Sequence, residues 1–134
     1  MPGETSLTQL LSGMRPSLNE GEYVFCSVPD LAVLQGEAPL GSFREPQGLT
    51  VILERIKAEA LGLAYSYTAA WITVTIHSSL EAVGLTAAFA TALGNASISC
   101  NVVAAYYHDH IFVATQDAHK AMAVLQGLAQ ANAQ

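Results

Sequence analysis

Residues 69–134 carry only four charged side chains, Glu81, Asp109, Asp117 and Lys120. An ordinary globular chain devotes about one residue in four to charge, so this segment has too little to solvate every face. Seventeen of the 22 alanines fall in the same segment. Part of its outer surface is therefore expected to lie against the first half of the chain or against another subunit. We read the protein as a homodimer on that ground. The first half differs sharply, with 8 acids and 4 bases in residues 1–68.

The net charge of −6 includes no cluster of Lys or Arg, which excludes a nucleic-acid backbone or an anionic bilayer as partner. With 51% hydrophobic residues in 134, the chain has enough apolar surface for a packed core rather than disorder. No apolar run approaches the roughly 18 residues of a membrane-spanning helix. The polar start MPGETS lacks a signal-peptide core, so a cytoplasmic protein is expected. Cys26 and Cys100 sit in apolar, strand-like runs with no Lys or Arg within ten residues. They read as inert buried thiols in a reducing compartment.

Periodicity divides the chain into short elements. Leu7, Leu10, Leu11 and Met14 form a helical stripe that Arg15-Pro16 should stop. Glu22 to Val28 reads as a strand and Leu31 to Pro39 as irregular. Gly41–Glu45 and Leu49–Leu53 flank Pro46-Gln47-Gly48, a hairpin signal, and a short helix over 54–61 closes at Gly62. From Trp71 to His77 the pattern alternates, with Ile72, Val74 and Ile76 on one side and Trp71, Thr73 and Thr75 on the other. A helix follows Gly84, burying Leu85, Ala88, Phe89, Ala92 and Leu93. Ile98–Tyr107 and His110–Ala114 read as strands joined by a tight turn at His108-Asp109. Thr115 caps a last helix that buries Ala118, Ala121, Met122, Leu125 and Leu128.

Strand, helix, strand, strand, helix is five-sixths of a βαββαβ unit, an antiparallel ferredoxin-like sheet with its helices on one face. The missing sixth strand would leave an edge unpaired. A strand of the first half is expected to complete it. The fold class is therefore α+β, as two related subdomains over 1–68 and 69–134.

The run ITVTIHSSLEAVGLTAAFATALGNASISCNVVAAYYHDHIFVATQDAHKAMAVL, Ile72 to Leu125, resembles an ACT domain, a small regulatory module that binds amino acids. With EYVFCSVP and FREPQGLTVIL, the whole chain is similar to small stand-alone bacterial proteins built from two such units. The resemblance implies a non-catalytic sensor of a small amino acid or similar metabolite, with no cofactor, acting on a separate regulated protein. It places the ligand at Ser78, Ser79, Val83, Gly84 and Leu85, with Cys100 and Asn101 opposite. The chemistry of those residues suits the role. A glycine at a helix start admits backbone N–H groups to a carboxylate, and serine and asparagine side chains add hydrogen bonds. Two positions depart from the family pattern: Ser97 stands where glycine is usual, and Ser99 where asparagine is.

Each candidate has a plainer reading. Serine and glycine are common at any helix start, and an amide in a strand is usually a hydrogen-bond filler. His108 and His110, spaced i, i+2, could chelate a metal with His77 as third ligand, which would make a small metal-assisted enzyme. A solvated hairpin turn explains the same residues, and no zinc-type Cys/His spacing accompanies them, so the expected metal content is none. Trp71, Tyr106 and Tyr107 suit a subunit contact. A ligand-free interaction scaffold is the remaining alternative. No phosphate loop, nucleophile elbow or other signature of catalysis is present.

Overall fold

The computed structural model describes residues 6–76 and 84–133. In chain order its elements are α1 (Leu7–Ser12), β1 (Arg15–Leu18), β2 (Tyr23–Val28), β3 (Gly41–Glu45), β4 (Gly48–Glu54), α2 (Arg55–Ala60), β5 (Thr68–Thr75), α3 (Leu85–Asn95), β6 (Cys100–Ala104), β7 (Asp109–Ala114) and α4 (Ala118–Ala131). They form two compact units. One joins the segment through Asn19 to the chain from Ala70 onward, and the other is Glu20–Ala69.

The larger unit has the strand order β1-β5-β7-β6. Ile72 and Val74 of β5, with Ile111 and Val113 of β7, turn their side chains to the helices. There they meet Leu85, Phe89 and Leu93 of α3, Ala118, Ala121 and Leu125 of α4, and Leu10 and Leu11 of α1. Apart from Leu7, which is 36% exposed, the expected helical stripes are those that pack, because apolar side chains at i, i+3 and i+4 share one face of a helix. The sixth strand comes from the first half, as expected, but from a segment that reads in sequence only as the stop of a helix. Arg15–Leu18 pairs antiparallel with β5, Arg15 opposite Thr75 and Leu18 opposite Ile72. Proline is tolerated there because β1 is an edge strand, where one N–H needs no ladder partner.

Two other expectations shift at the β6–β7 hairpin. The reversal lies before Asp109 rather than at His108-Asp109: Ala105 N–H donates to His108 O at 3.0 Å, and Asp109 already pairs with Ala104. Tyr106 and Tyr107 occupy this turn, 80% and 78% exposed. Ahead of α4, a 3₁₀ turn over Thr115–Asp117 replaces the simple Thr115 cap. Inside α4, a methyl group added at Gly127 would meet nothing within 4 Å. Gly127→Ala should therefore raise stability by about 0.5–1 kcal/mol, read as a higher urea midpoint at unchanged slope.

The smaller unit repeats the plan in miniature. β3-β4-β2 lie side by side, and Thr68 and Ala69 at the start of β5 pair with β2. Between β2 and β3, where the larger unit has α3, stands only a 3₁₀ turn, Leu31–Leu34. Val24, Cys26 and Val28 of β2 and Val51 and Leu53 of β4 point inward on Leu34 and Ala58. Gly62, at φ +70° beyond α2, supplies the left-handed residue that ends this helix.

Candidate functional site

Ser78, Ser79 and Val83, and with them His77, lie outside the described residues. Gly84 precedes α3 at φ +90°, a backbone conformation costly for any side chain but glycine. Leu85 is buried against Phe89 and Leu93 in the core rather than offered to a ligand. Cys100 and Asn101 part company. Successive strand residues face opposite ways: Cys100 packs against the helix-side core, and Asn101 is exposed on the other face, paired with Phe112. Burial pushes the Cys100 thiol above its ordinary value, and the Cys26 thiol likewise, the opposite of an activated cysteine. Ser97, standing where the family usually has glycine, adopts φ +63°. The backbone demand that selects glycine is present, and serine meets it with strain.

The histidines also separate. Asp109 is buried on the helix side of β7, where desolvation raises its carboxyl pKa. His110 turns to the opposite face and accepts a hydrogen bond from Trp71 Nε1 at 3.0 Å. His108 sits in the turn with a buried Nδ1 that has no hydrogen-bond partner among the described residues. Among the described residues, no three His, Cys, Asp or Glu side chains gather as a metal would require. Tyr106 and Tyr107 stack edge to face, with ring centroids 4.9 Å apart.

The smaller unit holds a groove that sequence reasoning missed. It encloses about 730 Å³ and is lined by Pro29, Asp30, Leu31, Ser42, Phe43, Arg44 and Leu49. Pro29-Asp30 end β2, and Asp30 turns the chain by accepting a hydrogen bond from Ala32 N at 2.9 Å. That turn throws Leu31 outward, 53% exposed, toward the edge strand β3, whose Phe43 is 72% exposed. Arg44 and Leu49 are cross-strand partners and so share a face. The lining thus combines apolar walls with one carboxylate, one guanidinium and one hydroxyl. Arg44 has no ion pair among the described residues. Such a set can hold a small molecule bearing both an ammonium and a carboxylate. The one signal that pointed to it was the repeated order of strand, turn, hairpin and helix in the first half.

A second hollow of about 240 Å³, beside Glu22, Glu54 and Arg55, is chemically occupied. Arg55 donates to Glu22 at 2.7 Å and to Glu59 at 3.0 Å, and Tyr65 donates to Glu59 at 2.5 Å. The Tyr65 and Arg55 hydrogen bonds hold the Glu59 carboxyl below its ordinary value, and the hydrogen bond to Glu22, followed by those to Tyr65 and Glu59, pushes Arg55 further up. This cluster ties α2 to Glu22 just ahead of β2 and to Tyr65 beyond the helix, and leaves no free cation for a ligand.

Two family models match the chain, both for ACT domains, over residues 2–70 and 66–127. A solved protein of unknown function from Vibrio cholerae, described as a possible transport protein, is 50% identical. That match covers 92% of this chain and 96% of the other, at a TM-score of 0.84. The aspartate kinase of Clostridium acetobutylicum matches at 11% identity and a TM-score of 0.67, over 87% of this chain and 34% of that one. The ligand-free regulatory subunit of aspartate kinase from Thermus thermophilus matches at 11% identity and 0.64, over 84% and 95%. At those identities the likeness to the kinases is one of fold. No curated protein matches the chain.

Proposed function

The chain belongs to the ACT-domain family, and from that footing we propose that it is a non-catalytic regulatory protein binding a small amino acid or similar metabolite. The observation that carries this reading is the groove between the Pro29-Asp30-Leu31 turn and the edge strand β3. It sets Asp30 and Arg44 among apolar walls without committing Arg44 to an ion pair. A zwitterion would meet the carboxylate with its ammonium and the guanidinium with its carboxylate, and the apolar walls would select its side chain. The corresponding place in the larger unit, from Ser78 to Gly84 at the entry to α3, is a second candidate. We further infer a cytoplasmic homodimer that acts on a separate protein. Its contact surface would draw on the charge-poor second half, where Tyr106 and Tyr107 are exposed. Among the described residues no helix is long and apolar enough to cross a membrane.

A thermal-shift screen of the twenty amino acids tests the reading. Ligand at a hundred times its dissociation constant stabilises the native state by about 2.7 kcal/mol, a clear rise in melting temperature. Asp30→Asn keeps the turn, because asparagine caps as well as aspartate, and removes the charge. Arg44→Gln alters an exposed side chain. Both variants should melt like the parent and lose the ligand response. A response lost instead in Gly84→Val would move the site to the α3 entry. No response to any amino acid would favour the scaffold reading.

A further inference from the structure

Among the described residues, the larger unit carries a polar cluster on the face of its sheet opposite the helices. Asn19 Nδ2 donates to Thr73 Oγ1 at 2.9 Å and to Trp71 O at 3.1 Å, and the Asn19 backbone N–H also donates to Trp71 O, at 2.9 Å. Trp71 Nε1 donates to His110 Nδ1 at 3.0 Å, and Thr73 Oγ1 lies 3.4 Å from the same nitrogen. An indole N–H can only donate, so His110 must keep Nδ1 unprotonated and carry its proton on Nε2. The place of the cluster matters. The chain leaves this unit twice, after Asn19 and before Ala70, and the cluster ties the residues beside both exits to each other.

We propose that His110, Trp71 and Thr73 form a protonation-controlled latch between β5 and β7, beside the two chain exits of the larger unit. A second proton on His110 goes to Nδ1 and turns the acceptor into a donor. It then faces the Trp71 N–H donor to donor. The indole is released, and the new Nδ1–H turns instead to Thr73 Oγ1, a hydroxyl oxygen that can accept from it and from Asn19 Nδ2 together. Among the described residues, the groups that face His110 are few. β5 brings Trp71 and Thr73 and β6 brings Val103, none of which titrates near neutrality; Asp109 adjoins it on its own strand, and His108 stands in the turn before it. Burial is the largest influence and lowers the His110 pKa, a charge on His108 works the same way, and Asp109 opposes both. The latch is therefore closed at neutral pH. The unfolded chain takes up this proton first as the pH falls, so the site withdraws stability below the ordinary histidine value of about 6.5.

Trp71 is the only tryptophan, so its emission reports the latch in the intact chain. Nitrogen-15 spectra at neutral pH should show His110 as the Nε2–H tautomer. On acidification, Trp71 emission should change in one step below about pH 6.5. The step should be lost in His110→Gln, whose side-chain oxygen still accepts from the indole, and kept in His108→Gln. Protonated Nδ1 at neutral pH would overturn the proposal on the parent protein alone, whether or not the variants fold. So would a step that survives His110→Gln or a step lost in His108→Gln.

Discussion

A chain that starts at Glu20 should lose the fold of its larger unit. The missing segment supplies β1, the edge strand paired with β5 through four residues. It also supplies Leu10, Leu11 and Met14, which are 3%, 4% and 1% exposed in the core. Reducing one such side chain to alanine costs about 2–5 kcal/mol. Removing all of them with the strand exceeds what a domain's total of about 5–15 kcal/mol can absorb. Far-ultraviolet dichroism should show a large loss of structure. The nuclear magnetic resonance signals of Trp71, Phe89 and Phe112 should collapse toward random-coil positions. Dispersed signals for these three residues in the truncated chain would mean that the first half is not integral to the larger unit.

Phe89→Ala should be the most damaging single substitution in α3. Phe89 is fully buried beneath the sheet, and phenylalanine removed from a packed core costs about 3–5 kcal/mol, because neighbours relax only partly into the cavity. In urea the midpoint should drop steeply with little change in slope, since the surface exposed on unfolding is nearly the same. Tyr106→Ala, on a side chain 80% exposed, should move the midpoint by less than about 0.5 kcal/mol. If the two variants were equally stable, the assigned face of α3 would be wrong.

The parts of this fold legible in the sequence are those where a period of 2 or 3.6 runs long enough to stand above noise. β5 shows its faces through the alternation of Ile72, Val74 and Ile76, all of which are buried. α3 and α4 show theirs through Leu85, Phe89 and Leu93 and through Ala118, Ala121 and Leu125. β1 escapes because it has four residues, one of them a proline. Its strand character comes from the partner it lies beside, a tertiary effect that no local window contains. The groove escapes for a related reason. Asp30 and Arg44 are ordinary surface charges in sequence, and only the pairing of β2 with β4 and of β4 with β3 brings the turn and the edge strand together. Cys100 and Asn101 show the reverse relation. Adjacent in sequence, they read as parts of one site, yet the pleat sends their side chains to opposite faces.

The pairing of β1 with β5 also has a meaning in time. Leu18 on β1 lies opposite Ile72 on β5, so the ribosome makes one partner long before the other. At about 5–20 residues per second, a separation of some fifty residues is a wait of roughly 3–10 s. Nearly everything between them, Glu20 to Ala69, is the smaller unit, whose own strand pairings all lie inside it and can form during that interval. The earlier strand and the apolar stripe of α1 must meanwhile stay unengaged, for their place exists only once the later half has been made. Assembly of this chain therefore runs out of order, with an early segment among the last to be seated, and the interval before seating is when a chaperone or a neighbouring nascent chain could capture it.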